Sequence, residues 1–118
     1  MHRLTCLTAM ICLPALAQAA PWHGIWSAEP DWCVNAERIG SVTPAPILLS
    51  ASEMLGYENS CDITAVDEVD GLSAWQIDIT CQSEGDLYEE RRLIMVDGDR
   101  MWMWFGADEP LLFTRCPA

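Results

Sequence analysis

CDITAVDEVDGLSAWQIDITC, residues 61–81, decides the fold. Its two arms, Cys61 to Val66 and Trp75 to Cys81, alternate apolar and polar residues, the period of a strand buried on one face. Between them lies Asp70-Gly71, a hairpin turn signal. A three-residue loop at 70–72 sets Cys61 opposite Cys81, Ile63 opposite Ile79 and Ala65 opposite Ile77, all on one face. The two cysteines then form a cross-strand bridge.

Strand and turn signals continue on both sides. His23 to Ser27 reads as a first strand, and the Pro30-punctuated segment to Ile39 as a loop with a helical turn over Trp32 to Arg38. Ile47 to Leu49 follows Pro44 and Pro46. Glu53 to Glu58 precedes the hairpin. Leu87 to Val96 and Arg100 to Phe105 flank Asp97-Gly98-Asp99, and Leu111 to Arg115 ends the series. Seven or eight short strands joined by tight turns predict an all-β antiparallel meander that closes into a small barrel or folds as a sandwich. With a three-residue loop at 97–99, Met95 faces Met101 and Leu93 faces Met103. The other face pairs Ile94 with Trp102 and Arg92 with Trp104, which offers a cation–π contact of about 0.5–1 kcal/mol.

The N-terminus places the chain. His2 and Arg3 precede an apolar core from Leu7 to Leu16, and Ala17-Gln18-Ala19 is a small-x-small cleavage site. Residues 1–19 read as a signal peptide, and 20–118 as one exported domain, periplasmic or secreted. The apolar run is too short for a membrane span of about 20 residues. Of six cysteines, Cys6 and Cys12 leave with the leader. Cys33, Cys61, Cys81 and Cys116 remain, an even number that reads as two disulfides in an exported chain. Cys61–Cys81 leaves Cys33–Cys116 to tie the start of the domain to its end. The chain-entropy model gives the longer loop more stabilisation, about 4 against about 3 kcal/mol.

Charge excludes some partners. Eighteen acidic against six basic residues give −12, and the loss of Arg3 with the leader takes it one unit lower; there is no lysine. A polyanion repels nucleic acid and anionic lipid, and leaves a basic partner open. Catalysis has few candidates. His23 is the only histidine outside the leader, and it lies at the start of the domain. Glu89-Glu90 alternate faces on a strand, so they do not share a cleft. Asp97-Gly98-Asp99 and Asp67 to Gly71 fall short of the six to eight oxygen ligands of calcium and read as turns. No metal set and no cofactor motif is present, and the chain does not read as an enzyme.

Six tryptophans outside the leader are the candidate contact residues. Trp26 and Trp75 occupy core-phase strand positions. Trp22 and Trp32 lie near loops, and Trp102 and Trp104 on a strand with two apolar faces; with Arg92 these are the candidate ligand- or partner-binding residues.

Gly24-Ile25-Trp26 near the start and Arg115 near the end resemble the calycin pattern of lipocalins, avidins and bacterial metalloprotease inhibitors of the Inh type. That resemblance implies a barrel whose end Arg115 closes by capping Trp26. An inhibitor of that type inserts its N-terminal segment into a protease cleft, here Ala20 to His23 with Trp22 as anchor. Trp32-Cys33, Glu58-Asn59-Ser60-Cys61-Asp62-Ile63, Thr80-Cys81 with Glu84-Gly85 and Phe113-Thr114-Arg115-Cys116 are similar to a group of small exported bacterial proteins of unassigned function. The expected role is a non-enzymatic binding module, for instance an inhibitor of a protease or cell-wall hydrolase. The alternatives are a carrier of a small apolar ligand and an envelope accessory protein without a ligand.

Overall fold

The structure, a computed structural model, describes residues 19–117. The expected leader therefore lies outside the described residues apart from Ala19. Eight strands follow in order: β1 (Gly24–Ser27), β2 (Ile47–Leu49), β3 (Glu53–Gly56), β4 (Asn59–Glu68), β5 (Ala74–Ser83), β6 (Asp86–Asp97), β7 (Arg100–Trp104) and β8 (Leu111–Arg115). Each pairs antiparallel with the next, and β8 returns to β1, so the sheet is a closed barrel. A 3-10 helix, Pro30–Arg38, fills the connection after β1.

Closure gives every strand two neighbours, although among the described residues β4 beyond Ile63 and β6 before Leu93 run on without a strand partner on one side, and strand alternation fills the inside. Trp26, Leu49, Ile77, Ile79, Ile94, Met101 and Met103 are the large apolar side chains with essentially no exposure. Trp75 is also in the core, as its phase predicts.

Both expected disulfides form. Cys61–Cys81 bridges directly paired residues of β4 and β5, and Cys33–Cys116 ties the 3-10 helix to the residue after β8. The route to Cys61–Cys81 differs from the expected one. Val69 N–H donates to the Ala74 carbonyl, so the loop holds the four residues 70–73 and not three. That shifts the register by one. A bulge between Ile63 and Ala65 shifts it back, so Ile63 meets Ile79 and Cys61 meets Cys81, while Ala65 lies opposite Asp78 instead of Ile77. The unpaired Thr64 hydroxyl donates to the Asp78 carbonyl at 3.2 Å.

The β6–β7 hairpin departs from expectation in one step. Asp97 pairs with Arg100, so the loop is the two residues Gly98-Asp99. Gly98 takes φ +59, the positive value that the first central position of a two-residue hairpin turn of type II′ requires. Ile94 and Met103 now pair across the core, Leu93 and Trp104 pair on the outside, and Arg92 turns inward.

The two bridges close loops of 83 and 20 residues. Replacing Cys33 and Cys116 by alanine is expected to cost about 4 kcal/mol and replacing Cys61 and Cys81 about 3 kcal/mol. Urea unfolding of both double variants measures the order. A reversed order would show that packing of the buried Cys61–Cys81 sulfurs outweighs loop closure.

Candidate functional site

The two ends of the barrel are built differently. At one end β1 and β8 meet through Trp26↔Arg115 and Ser27↔Thr114. The Arg115 guanidinium lies 4.2 Å above the centre of the Trp26 ring. Its Nη1 donates to the His23 carbonyl and Nη2 to the Pro21 carbonyl, both at 2.7 Å. Nε lies 3.4 Å from Asp99 Oδ1. The Trp26 indole donates to the Trp22 carbonyl at 3.0 Å. Gly24 has to be glycine here: its φ is +138, and a Cβ would lie 2.6 Å from Arg115 Nη1.

This arrangement holds the N-terminal segment down. Trp22, expected in a loop as a ligand or partner anchor, is 2 % exposed and belongs to the core. Its indole N–H is buried without a partner among the described residues. The His23 ring packs edge-on against Trp22, and its Nδ1 accepts from the Ala20 N–H at 3.1 Å. Partial burial lowers the His23 pKa below its usual 6.5.

The other end is a mouth. Arg92 enters it from β6 because of the two-residue turn at 98–99, and it is 9 % exposed. The expected stacking of Arg92 on Trp104 does not occur; its guanidinium lies 4.2 Å over the Phe105 ring. Nε and Nη2 both donate to Glu90 Oε2, at 3.1 and 2.7 Å. Nη1 faces two thioether sulfurs, Met54 at 3.7 Å and Met103 at 3.6 Å. A cavity of about 200 Å³ opens beside it, and Asn59 and Gly56 stand among its lining residues.

The remaining candidates lie outside. Trp102 and Trp104 are half-buried on the outer face of β7, where Trp104 pairs with Leu93, and Trp102 with Met95 and Leu112. Leu93 and Leu112 are exposed. Arg100 reaches over Trp102, 5.2 Å from the ring centre, and also pairs with Asp97. Trp32 is half-buried in the 3-10 helix, apart from this band. On the outer face of β5, Asp78 pairs with Arg91 at 2.7 Å, and that hydrogen bond holds its carboxyl below the ordinary carboxylate range.

The structure thus sorts the candidate residues into four places: Trp22, Trp26 and Arg115 at the closed end, Arg92 in the mouth, Trp102 and Trp104 on the outer wall, and Trp32 in the 3-10 helix. Phe105 and Met54 at the mouth carry no sequence motif, and Asn59 lies in the Glu58-to-Ile63 segment, which carries no site role. Only the inward turn of Arg92 singles them out, and that turn depends on one residue of loop length.

Gly24→Ala is expected to cost about 1–3 kcal/mol through backbone strain, plus the displacement of Arg115. Gly71→Ala, also at positive φ but with open space around it, is the control for strain alone. In an Arg115→Ala background the excess at Gly24 should vanish, as urea unfolding of the cycle reports. His23 gives a pH test. Its folded pKa lies below its unfolded one, so stability is full above about 6.5 and falls as pH drops through 6.5 towards the folded value. Unfolding of the His23→Gln variant should lack that segment of the pH profile.

Comparison of the chain with protein-family models, with curated proteins and with solved structures finds no match.

Proposed function

We propose that the protein is a non-enzymatic binding module of an exported, oxidising compartment, and that it docks a hydrolytic enzyme, a protease or a cell-wall hydrolase, on the outer face of β6–β8. One observation carries this reading: Leu93, Met95, Trp102, Trp104 and Leu112 form a continuous apolar band on the outer wall. Tryptophan is a large contact surface with little rotamer freedom to lose, and the strands that hold it are fixed by closure and two disulfides. Surface bands of this kind mark interaction sites more often than solvated faces.

Charge favours a basic partner. Arg91, Arg92, Arg100 and Arg115 each already pair with an acid of the same chain. Among the described residues, most of the eighteen acids have no such partner. On the outside of β3 and β4, Glu53 lies directly opposite Asp62. Like charges in that position oppose folding by a few tenths of a kcal/mol, and a basic surface would relieve them and speed encounter.

The docking surface is the wall and not the N-terminal segment. Trp22 is packed in the core, and Arg115 holds the carbonyls on either side of it. The alternative, a carrier of a small apolar ligand, has room only for a compact one, because the cavity at the mouth is about 200 Å³, below the roughly 300–1,000 Å³ of sites for drug-sized molecules.

The test is an inhibition panel of secreted metalloproteases and muramidases with the oxidised protein, the Trp102→Ala/Trp104→Ala variant and a salt series. Inhibition that weakens about thirty-fold in the variant, and whose association rate falls with salt, is the expected result. A variant that inhibits as well as the parent, or a parent that inhibits none of the enzymes, overturns the reading.

A further inference from the structure

We propose that the barrel mouth is a second binding site, separate from the outer wall, for a small neutral molecule that combines one carbonyl-type acceptor oxygen with a compact apolar body. The chemistry follows from how Arg92 is satisfied. Its charge is balanced by Glu90, which takes both Nε and Nη2 on a single oxygen, and Phe105 covers one face of the guanidinium. Nη1 is left with the sulfurs of Met54 and Met103. A thioether is a weak acceptor, so among the described residues this buried donor of a charged group has no oxygen partner.

The cavity supplies the place for one. Its walls are Ile47, Met54, Met103 and Phe113, and Asn59 adds an amide to the lining. About 200 Å³ is the share of some six or seven waters. Waters held against such walls lack hydrogen-bond partners, and an apolar body displaces them favourably. A one-ring molecule is of this size.

Charge sets the ligand class. An anion would meet Glu90 Oε2 on the same guanidinium, inside a chain of net charge −12. A cation would meet Arg92. A neutral acceptor completes Nη1 without adding charge to a pair already balanced.

The experiment uses the oxidised protein with carbon-13 methyl-labelled methionines and three probes of one shape: acetophenone, ethylbenzene and benzoate. Acetophenone is expected to shift the Met54 and Met103 methyls saturably and to leave Met95, on the outer wall, unmoved. Benzoate should bind at least about ten-fold more weakly. Arg92→Met should remove the advantage of acetophenone over ethylbenzene. Gly56→Val narrows the mouth without touching the guanidinium, since Gly56 lines the cavity with ordinary backbone geometry and its Cβ would meet only Ile47 at 3.7 Å. It should abolish the acetophenone shifts, and it decides the question if Arg92→Met does not fold. No saturable shift of Met54 and Met103, equal binding of acetophenone and ethylbenzene by the parent, tighter binding of benzoate, or an unaltered titration in Gly56→Val overturns the proposal.

Discussion

The pairing of β1 with β8 is the contact on which the molecule depends. Every other strand pair in the barrel joins neighbours in sequence. This one brings together residues about ninety positions apart through only two residue pairs, Trp26↔Arg115 and Ser27↔Thr114. A contact so distant in sequence carries the largest loop-closure entropy in the fold. Two backbone pairs are weak compensation, and the chain reinforces them with side chains. Arg115 reaches across the seam to two carbonyls and an indole, and Cys33–Cys116 fixes the residue next to it. Without the seam β1 and β8 become open edges, and the inward faces of Met101, Met103 and Ile94 lose their cover.

The same seam explains Trp22. The arginine that closes the barrel does so by binding the carbonyls of Pro21 and His23, and the backbone between them turns the Trp22 side chain under the barrel. Gly24 has the shape this approach needs. One cluster of contacts therefore closes the sheet and plugs its end with the Trp22 ring, while Pro21 beside it stays exposed. The unpaired indole N–H of Trp22 opposes this arrangement, since a buried donor without an acceptor costs about 1–3 kcal/mol. Burial of that large ring offsets it, at about 1.5–3 kcal/mol for a large apolar side chain.

Much of this was legible in the sequence. Alternation in 61–66 and 75–81, with turn residues between strands, placed the central hairpin, and the cysteine count together with that hairpin's register placed the staples. Loop length was not legible. Asp97-Gly98-Asp99 is compatible with two or three loop residues, and the difference of one exchanges the faces of the whole hairpin. With three, Arg92 shares a face with Trp104; with two, it shares the inner face with Ile94 and Met103 while Trp104 points outward. In the β4–β5 hairpin the same uncertainty was masked, because the extra loop residue and the bulge at Thr64 cancel before Cys61 is reached. A bulge leaves no motif in a run such as Ile63-Thr64-Ala65, where small and β-branched residues suit either register. Trp22 was hidden for another reason: its burial comes from a side chain ninety-three residues away, and no local period reports that.

A barrel stapled at the seam also separates what its two faces can do. The outer band of Trp102 and Trp104 and the inner cavity beside Arg92 occupy opposite sides of the same short β-ribbon, because alternate residues of β6 and β7 serve one or the other. Leu93 belongs to the wall and Arg92 to the mouth. The turn after β7 joins them: Phe105 covers Arg92 from above, directly after Trp104 on the wall. A rigid core resists sliding one face relative to the other, and Phe105 adds a side-chain cover over Arg92 at that turn. Trp104 on the wall thus stands one residue from the ring that covers Arg92, with the closed end, fixed by Arg115 and the Cys33–Cys116 bridge, at the far side of the barrel.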